Sequence, residues 1–483
     1  MSRDMETLPV QRHGHAPLPH GLTERRTLAA IGQIGSGSVT YFSPQARLWM
    51  RVLLGAFIAI GLIAKSFIFV AGEPVVIHYA LNGLIVGIAG IAYFSTGGGK
   101  LLAGPVALAL GLALFWSLVS ALFSPISLNI VAVATFAVVS VGSLIFFPAV
   151  CLMAGLEPWR LLSYLLGAIV PLTALIWLID PGLTIDPDSG RFSGALVSVA
   201  VACNIYFFVC VFAFRGALLA PTRSSAMFYG ATSLIAIIFL YLTKTRSSLA
   251  ECLACLLLML IFSPLKRGAK MVSMAAAGLL LMLLALSGLA ASTGIVPLDN
   301  ELESFRLGDE QLTDSRSSNW EFGIERIIQA PLFGEGLLTK QTQGGTRGVD
   351  FGGETSYDPL YDPHSLILSF GVQAGIPFMI AMTALIVMIL ARFVSTFGVQ
   401  RSLESPEFVI ASVHFAVMIF AGGDLTTLGN VIDKIFWILL GTVALKTELA
   451  RAYGVSAAGA SGMSGWTGQR LRAASPRPLP AKV

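Results

Sequence analysis

The chain is a succession of apolar runs about 20 residues long, nearly free of charge, and this constrains its fold more than any other feature. A run of that length crosses a hydrocarbon core of roughly 30 Å as a helix. A helix also satisfies its own backbone hydrogen bonds inside lipid. Barrel strands would show shorter, alternating segments. Only 12% of the 483 residues are charged, whereas soluble domains carry about 25%. Too little polar surface remains to face water. The expected fold is an all-α integral membrane protein of about twelve transmembrane helices.

Spans are expected near 50–71, 75–95, 101–123, 128–154, 161–179, 195–214, 225–243, 248–263, 271–291, 365–390, 407–422 and 431–447. This divides the chain into an N-terminal tail (1–47), a block of nine spans (48–291), a large loop (292–364), three further spans (365–448) and a C-terminal tail (449–483). Both tails are rich in Pro, Gly, Ser and Ala and are expected to be disordered. No cleavable signal peptide is legible, so the first apolar run is read as an uncleaved anchor. All five cysteines fall inside apolar runs. Cys252 and Cys255 form a C-x-x-C, but on a membrane helix, where small packing residues are the expected role rather than redox or metal chemistry.

Lys and Arg in short loops set orientation. With the N-terminus inside, the inner segments hold Arg25, Arg26, Arg47, Arg51, Lys100, Arg160, Arg215, Arg223, Lys266, Arg267, Lys270, Arg392, Arg401, Lys446 and Arg451. Both termini then lie on the cytoplasmic side. One short outer loop breaks the rule, at Leu242-Thr243-Lys244-Thr245-Arg246-Ser247-Ser248. Its two cations are either solvated interfacial charges or the partners of an anion. Four hydroxyls surround them and a helix begins there, which suits a phosphate. Glu251 lies farther along the same span. An intramembrane carboxylate is costly and usually paired, so it is expected to counter one of these cations.

The loop 292–364 carries thirteen acids and five bases, a net of −8. Ser318-x-x-Glu321 reads as a capping box. Trp320, Ile324, Ile327 and Ile328 then form an apolar stripe, predicting a short amphipathic helix against the membrane or the bundle. Pro331 and the turn Gly334-Glu335-Gly336 end it. Tyr361-Asp362-Pro363-His364-Ser365 follows, directly before span ten. His364 is the one outer-side histidine. It is either a helix-start interface residue or a general base whose imidazole Asp362 orients.

These pieces, in this order, resemble the O-antigen ligase and exopolysaccharide polymerase superfamily of bacterial polytopic membrane glycosyltransferases. The resemblance rests on Thr245-Arg246-Ser247-Ser248-Leu249, on Arg316 with Trp320, and on Pro331-Leu332-Phe333-Gly334-Glu335-Gly336. It continues in His364-Ser365 and in Gly375-Ile376-Pro377. Arg191-Phe192-Ser193-Gly194 fits a further segment of the pattern, although Ser198-Val199-Ala200 stands where the superfamily often has Pro-Asn. Thr245 replaces the usual Ser, and Glu251 sits where its members are normally apolar.

The resemblance implies a GT-C-like frame in the bacterial inner membrane, with a periplasmic active site. It implies a polyprenyl-diphosphate-linked glycan as donor and a glycan or lipid-linked acceptor. It assigns catalytic roles to His364, Arg246 and Arg316, and substrate contacts to Arg191, Lys244, Asp362 and Trp320. Other polysaccharide export proteins and the lipid bilayer are implied partners; nucleic acid is not. The donor carries its own activation, so no cofactor, nucleotide or metal is expected. Gly97-Gly98-Gly99-Lys100 lacks P-loop spacing, and the acidic loop shows no EF-hand or Asp-x-Asp pattern. Polymerase and ligase activities share these motifs. The Thr-Arg-Ser-Ser segment leans toward polymerase. A transporter is the alternative from another class, but its signature of related halves and midplane charges is not evident in the sequence.

Overall fold

A computed structural model of the chain describes residues 44–63, 75–95, 104–124, 129–153, 157–186, 190–196, 198–220, 222–262, 311–337, 363–421 and 431–452. These residues are helical apart from short turns and one isolated antiparallel bridge, Ile185 to Phe192. The helices are α1 (Pro44–Ile63), α2 (Val75–Ser95), α3 (Pro105–Phe123), α4 (Asn129–Val141), α5 (Phe147–Met153), α6 (Pro158–Gly167) and α7 (Ile169–Ile179). They continue as α8 (Val199–Leu219), α9 (Arg223–Leu242), α10 (Arg246–Ile261), α11 (Gln311–Gln329), α12 (Leu366–Phe397), α13 (Val399–Glu404), α14 (Pro406–Ala421) and α15 (Val431–Ala452).

Helices occupy every expected span segment except 271–291, which lies outside the described residues, as do most of the large loop and both tails except 44–47 and 449–452, which are helical. Among the described residues, seven helical segments are long and apolar enough to cross a membrane, and Ala80–Ser95 and Pro406–Phe420 are shorter apolar helices. The protein is therefore a multi-pass membrane protein; the count of twelve spans is not established by these helices. The first helix begins earlier than expected, at Pro44.

α8 is the central element, buried along nearly its whole length from Val199 to Gly216 and packed on α6, α9 and α10. α15 is its counterpart on the other flank and packs against α12 and α14. All five cysteines are free and buried, in keeping with a packing role.

Two irregular joints shape the bundle. A π turn, Gly142–Phe146, separates α4 from α5. Pro148 has no N–H to offer the carbonyl of Leu144, four residues earlier. At Gly441, α15 passes so close that an added Cβ would stand 2.1 Å from that carbonyl oxygen, so only glycine fits. The second joint is in α12, where Ala374 and Gly375 leave helical geometry ahead of Pro377. It organises the site described next.

The two ends of the bundle differ. At one, Arg392 pairs with Glu448 (2.5 Å) and Lys446 with Glu407 (2.9 Å), which ties together the end of α12, the start of α14 and the end of α15. Arg215, near the end of α8, donates to the carbonyl of Glu404 at this same end. The start of α8, the start of α10 and the start of α12 consequently lie at the opposite end.

Candidate functional site

The opposite end is built from three segments. The first joins α7 to α8. Asp180 opens a 3-10 turn, Pro181–Thr184, by accepting from the amide of Gly182 (2.9 Å). The chain then folds back as a small hairpin: the amide of Asp186 donates to the carbonyl of Arg191 (2.8 Å), beside the Ile185–Phe192 bridge. Arg191 is half-buried there, and Phe192 is buried among Trp177, Tyr206 and Phe239. Gly194 has φ +66°, and a Cβ on it would meet the hydroxyl of Tyr206 at 1.8 Å. The glycine of the Arg-x-x-Gly segment is thus required by the Tyr206–Thr173 hydrogen bond beneath it.

The second segment is the turn between α9 and α10. Thr243 closes α9 and Lys244 follows with φ +54°, a left-handed position where glycine is usual. Arg246 is the first residue of α10. Thr245, at its N-cap, makes no side-chain cap; its hydroxyl donates back to the carbonyl of Thr243 instead (3.3 Å). The Phe192–Phe239 contact (5.4 Å between centroids) holds this turn beside the Arg191 hairpin. The thiol of Cys203, in the second turn of α8, lies against the hydroxyls of Thr245 and Ser248.

The third segment joins α11 to α12. Pro377 leaves the carbonyl of Gln373 without its helical donor, and the break at Gly375 frees those of Val372 and Ala374. All three are recaptured: Glu335 N–H donates to Val372, Gly336 N–H to Gln373 (both 2.8 Å), and the indole of Trp116 to Ala374 (3.1 Å). In return, the amide of Ile376 donates to the carbonyl of Pro331 (2.7 Å). Within lipid each unmet group would cost several kcal/mol, on the order of 2–7. The turn Pro331–Gly336 and the break Gly375-Ile376-Pro377 are therefore one joint. It is clasped from α3 by Ser120 on the carbonyl of Phe333 and Ser124 on that of Glu335, and by a paired Arg326–Glu335 contact. Gly334 and Gly375 have φ +62° and +81°, and a Cβ at either would strike backbone atoms.

The joint fixes α11 against α12. Gly323 faces Pro363 and Leu368, and Ile327 is buried against Gly371. Of the expected stripe, Ile327 packs on the bundle, while Ile324 and Ile328 stay exposed to its surroundings, because α11 docks on α12 along its Gly323–Ile327 edge. The capping-box expectation also fails. α11 begins at Gln311, so Ser318 is inside the helix rather than at its start. Trp320 is half-buried, and its indole N–H has no hydrogen-bond partner among the described residues. Arg316 lies one helical turn before Trp320 on the backbone, but its side chain is outside the described residues, as is all of Asp362.

His364 is exposed, with φ +49°. A left-handed non-Gly residue costs about 1–2 kcal/mol and needs a compensating reason. Ser365 occupies the N-cap of α12 and, like Thr245, makes no side-chain cap. By contrast, Ser198 and Thr222 cap α8 and α9 with the same chemistry. The starts of α10 and α12 thus lack a side-chain acceptor from their own N-cap residue.

The expected counter-ion role of Glu251 is overturned. Its carboxylate contacts Nδ1 of His414 on α14 (2.6 Å), and both side chains are buried. His414 carries no motif that marks it in the sequence. Nor does Lys434, which is buried in α15 and donates to the carbonyl of Phe57 (2.6 Å) and to Asn82 (2.7 Å). Their only sequence signal is an ionisable residue inside an apolar run.

Comparison with curated proteins gives no match. A family model described as O-antigen ligase matches residues 231–383, from α9 through the α10 start, the joint and His364 into α12. The matched residues 231–383 therefore carry the O-antigen ligase family pattern, which supports the resemblance to the O-antigen ligase and polymerase superfamily.

Proposed function

We propose that the protein is a glycosyltransferase that polymerises a polyprenyl-diphosphate-linked glycan of a surface polysaccharide at the periplasmic face of the bacterial inner membrane. One observation carries this reading. Among the described residues, the only non-Gly residues with left-handed backbone are Lys244 and His364, and both stand at the uncapped helix starts of one end. Strain held at two such places motivates a functional assignment.

In the proposed reaction an acceptor sugar hydroxyl attacks the anomeric carbon of the donor. The new C–O bond forms as the bond to the diphosphate breaks, and the polyprenyl diphosphate leaves with the electron pair. Arg246, at the start of α10, and Arg316, on α11, balance the charge that develops on the leaving group without any change of protonation. His364 accepts the hydroxyl proton. Arg191, Lys244, Asp362 and Trp320 contact donor or acceptor. The basic, ion-paired end of the bundle supports a cytoplasmic side there, and with it a candidate site facing the outer leaflet.

The test is glycan transfer by purified protein from a polyprenyl-diphosphate donor, with and without chelator. Lengthening of the lipid-linked glycan, unaffected by chelator, is expected. Transfer only to a lipid A core would reassign the protein as a ligase, and solute counterflow without transfer would make it a transporter.

A further inference from the structure

The carboxylate–imidazole pair in the bundle interior has no part in the proposed reaction. Glu251 is in the second turn of α10, and His414 is near the middle of α14. Their side chains are 2% and 1% exposed, and Nδ1 meets Oε1 at 2.6 Å. Phe207 stacks on the imidazole (10° between planes), with Phe208 and Phe436 tilted beside it. The second ring nitrogen, Nε2, has no hydrogen-bond partner among the described residues. The flanking helices also carry four thiols, Cys203 and Cys210 on α8 and Cys252 and Cys255 on α10, with Tyr206 on α8 and Asp433 and Lys434 on α15.

Burying such a pair rarely adds net stability; its best-attested use is to specify register. Apart from the Ser248 hydroxyl, the other buried residues of α10 are thiols and apolar side chains such as Cys252, Cys255 and Met259, which tolerate sliding. The Glu251–His414 bond is directional, and it joins α10 to α14 at one depth. Arg246 is on the same helix, five residues earlier, about 7.5 Å along the axis. A helix is stiff over that distance, so a shift at Glu251 reappears at Arg246.

We infer that Glu251 and His414 are positioning residues that set the depth and rotation of α10 and thereby place the guanidinium of Arg246 for the leaving group. The inference rests on the transfer reaction proposed above. It reaches beyond the matched residues, since His414 lies outside 231–383.

The experiment is a double-mutant cycle on purified, reconstituted protein with a polyprenyl-diphosphate glycan donor. The apolar pair Glu251→Met with His414→Phe leaves neither partner orphaned. Its kcat/KM for donor is expected to fall about tenfold or more, since a 1 Å misplacement costs about 10²-fold. KM for the acceptor stays as it was. Glu251→Gln keeps an acceptor for Nδ1–H and stays within about threefold of wild type. In an Arg246→Lys background, the apolar pair costs little more, because both changes act through one group. A role confined to stability would give equal losses in both backgrounds, and that result overturns the inference, as does wild-type kcat/KM in the apolar pair. Should that variant fail to accumulate, Glu251→Asp, which shortens the link by one methylene, runs the same cycle. No transfer by the wild-type protein would instead sink the proposed function, and the inference with it.

Discussion

The two ends of the bundle use charge in opposite ways. At one end, cations are spent on neighbours: Arg392 on Glu448, Lys446 on Glu407, Arg215 on a backbone carbonyl. No non-Gly residue among the described residues there adopts left-handed backbone. At the other end, Lys244 and His364 are held left-handed, two helix starts lack side-chain caps, and α12 is broken and patched by a turn from the large loop. The first end is arranged for orientation and packing. The second holds its strain at two non-Gly residues beside helix starts, which is what motivates a functional assignment there.

Substitutions can break that contrast. The largest effect is expected at His364→Ala, about 10²–10⁴ in glycan transfer, read with purified protein. His364→Gly sharpens the point: it relieves the left-handed strain, so thermal stability should rise by about 1 kcal/mol while transfer is still lost. Equal losses of stability and transfer would show that His364 is structural. Arg246→Ala should cost about 10²–10³ in transfer, with normal membrane insertion and accumulation. Near-normal polymer from cells carrying it would remove the diphosphate argument.

The joint is tested by stability. Gly375→Ala forces a side chain onto the backbone of Leu332 and should destabilise by roughly 1–3 kcal/mol or more, visible as a lower Tm in detergent. Trp116→Phe should cost about 1–3 kcal/mol by leaving the Ala374 carbonyl without its donor. The smallest effect is expected at the paired end. Arg392→Gln breaks an ion pair whose side chains are about one-fifth exposed, worth about 0.2–1 kcal/mol, with transfer unchanged. A large loss of transfer there would erase the distinction between the ends.

Local pattern carried much of this. Span positions follow from runs of apolar residues, and the pairing of Arg215, Arg392 and Lys446 at one end follows from the bias of Lys and Arg between spans. The motif residues Thr245-Arg246, Pro331–Gly336 and His364-Ser365 were legible as punctuation between helices. What they do to one another was not. The start of α11 was misplaced because Ser318-x-x-Glu321 satisfies a local capping rule inside a helix that begins a full turn or more earlier.

Sequence alone determined that this chain must be helical and membrane-embedded, and where its chemistry-bearing residues stand along it. Those are properties of single segments in a solvent that offers no hydrogen bonds. Only the tertiary structure decided that the Pro331–Gly336 turn heals the break at Gly375, that Trp116 reaches over 250 residues to help, and that Glu251 answers to His414 rather than to Arg246. Each of those depends on which freed carbonyl or buried carboxylate finds a donor across helices remote in the chain. Spacing along one strand of sequence carries no trace of that choice.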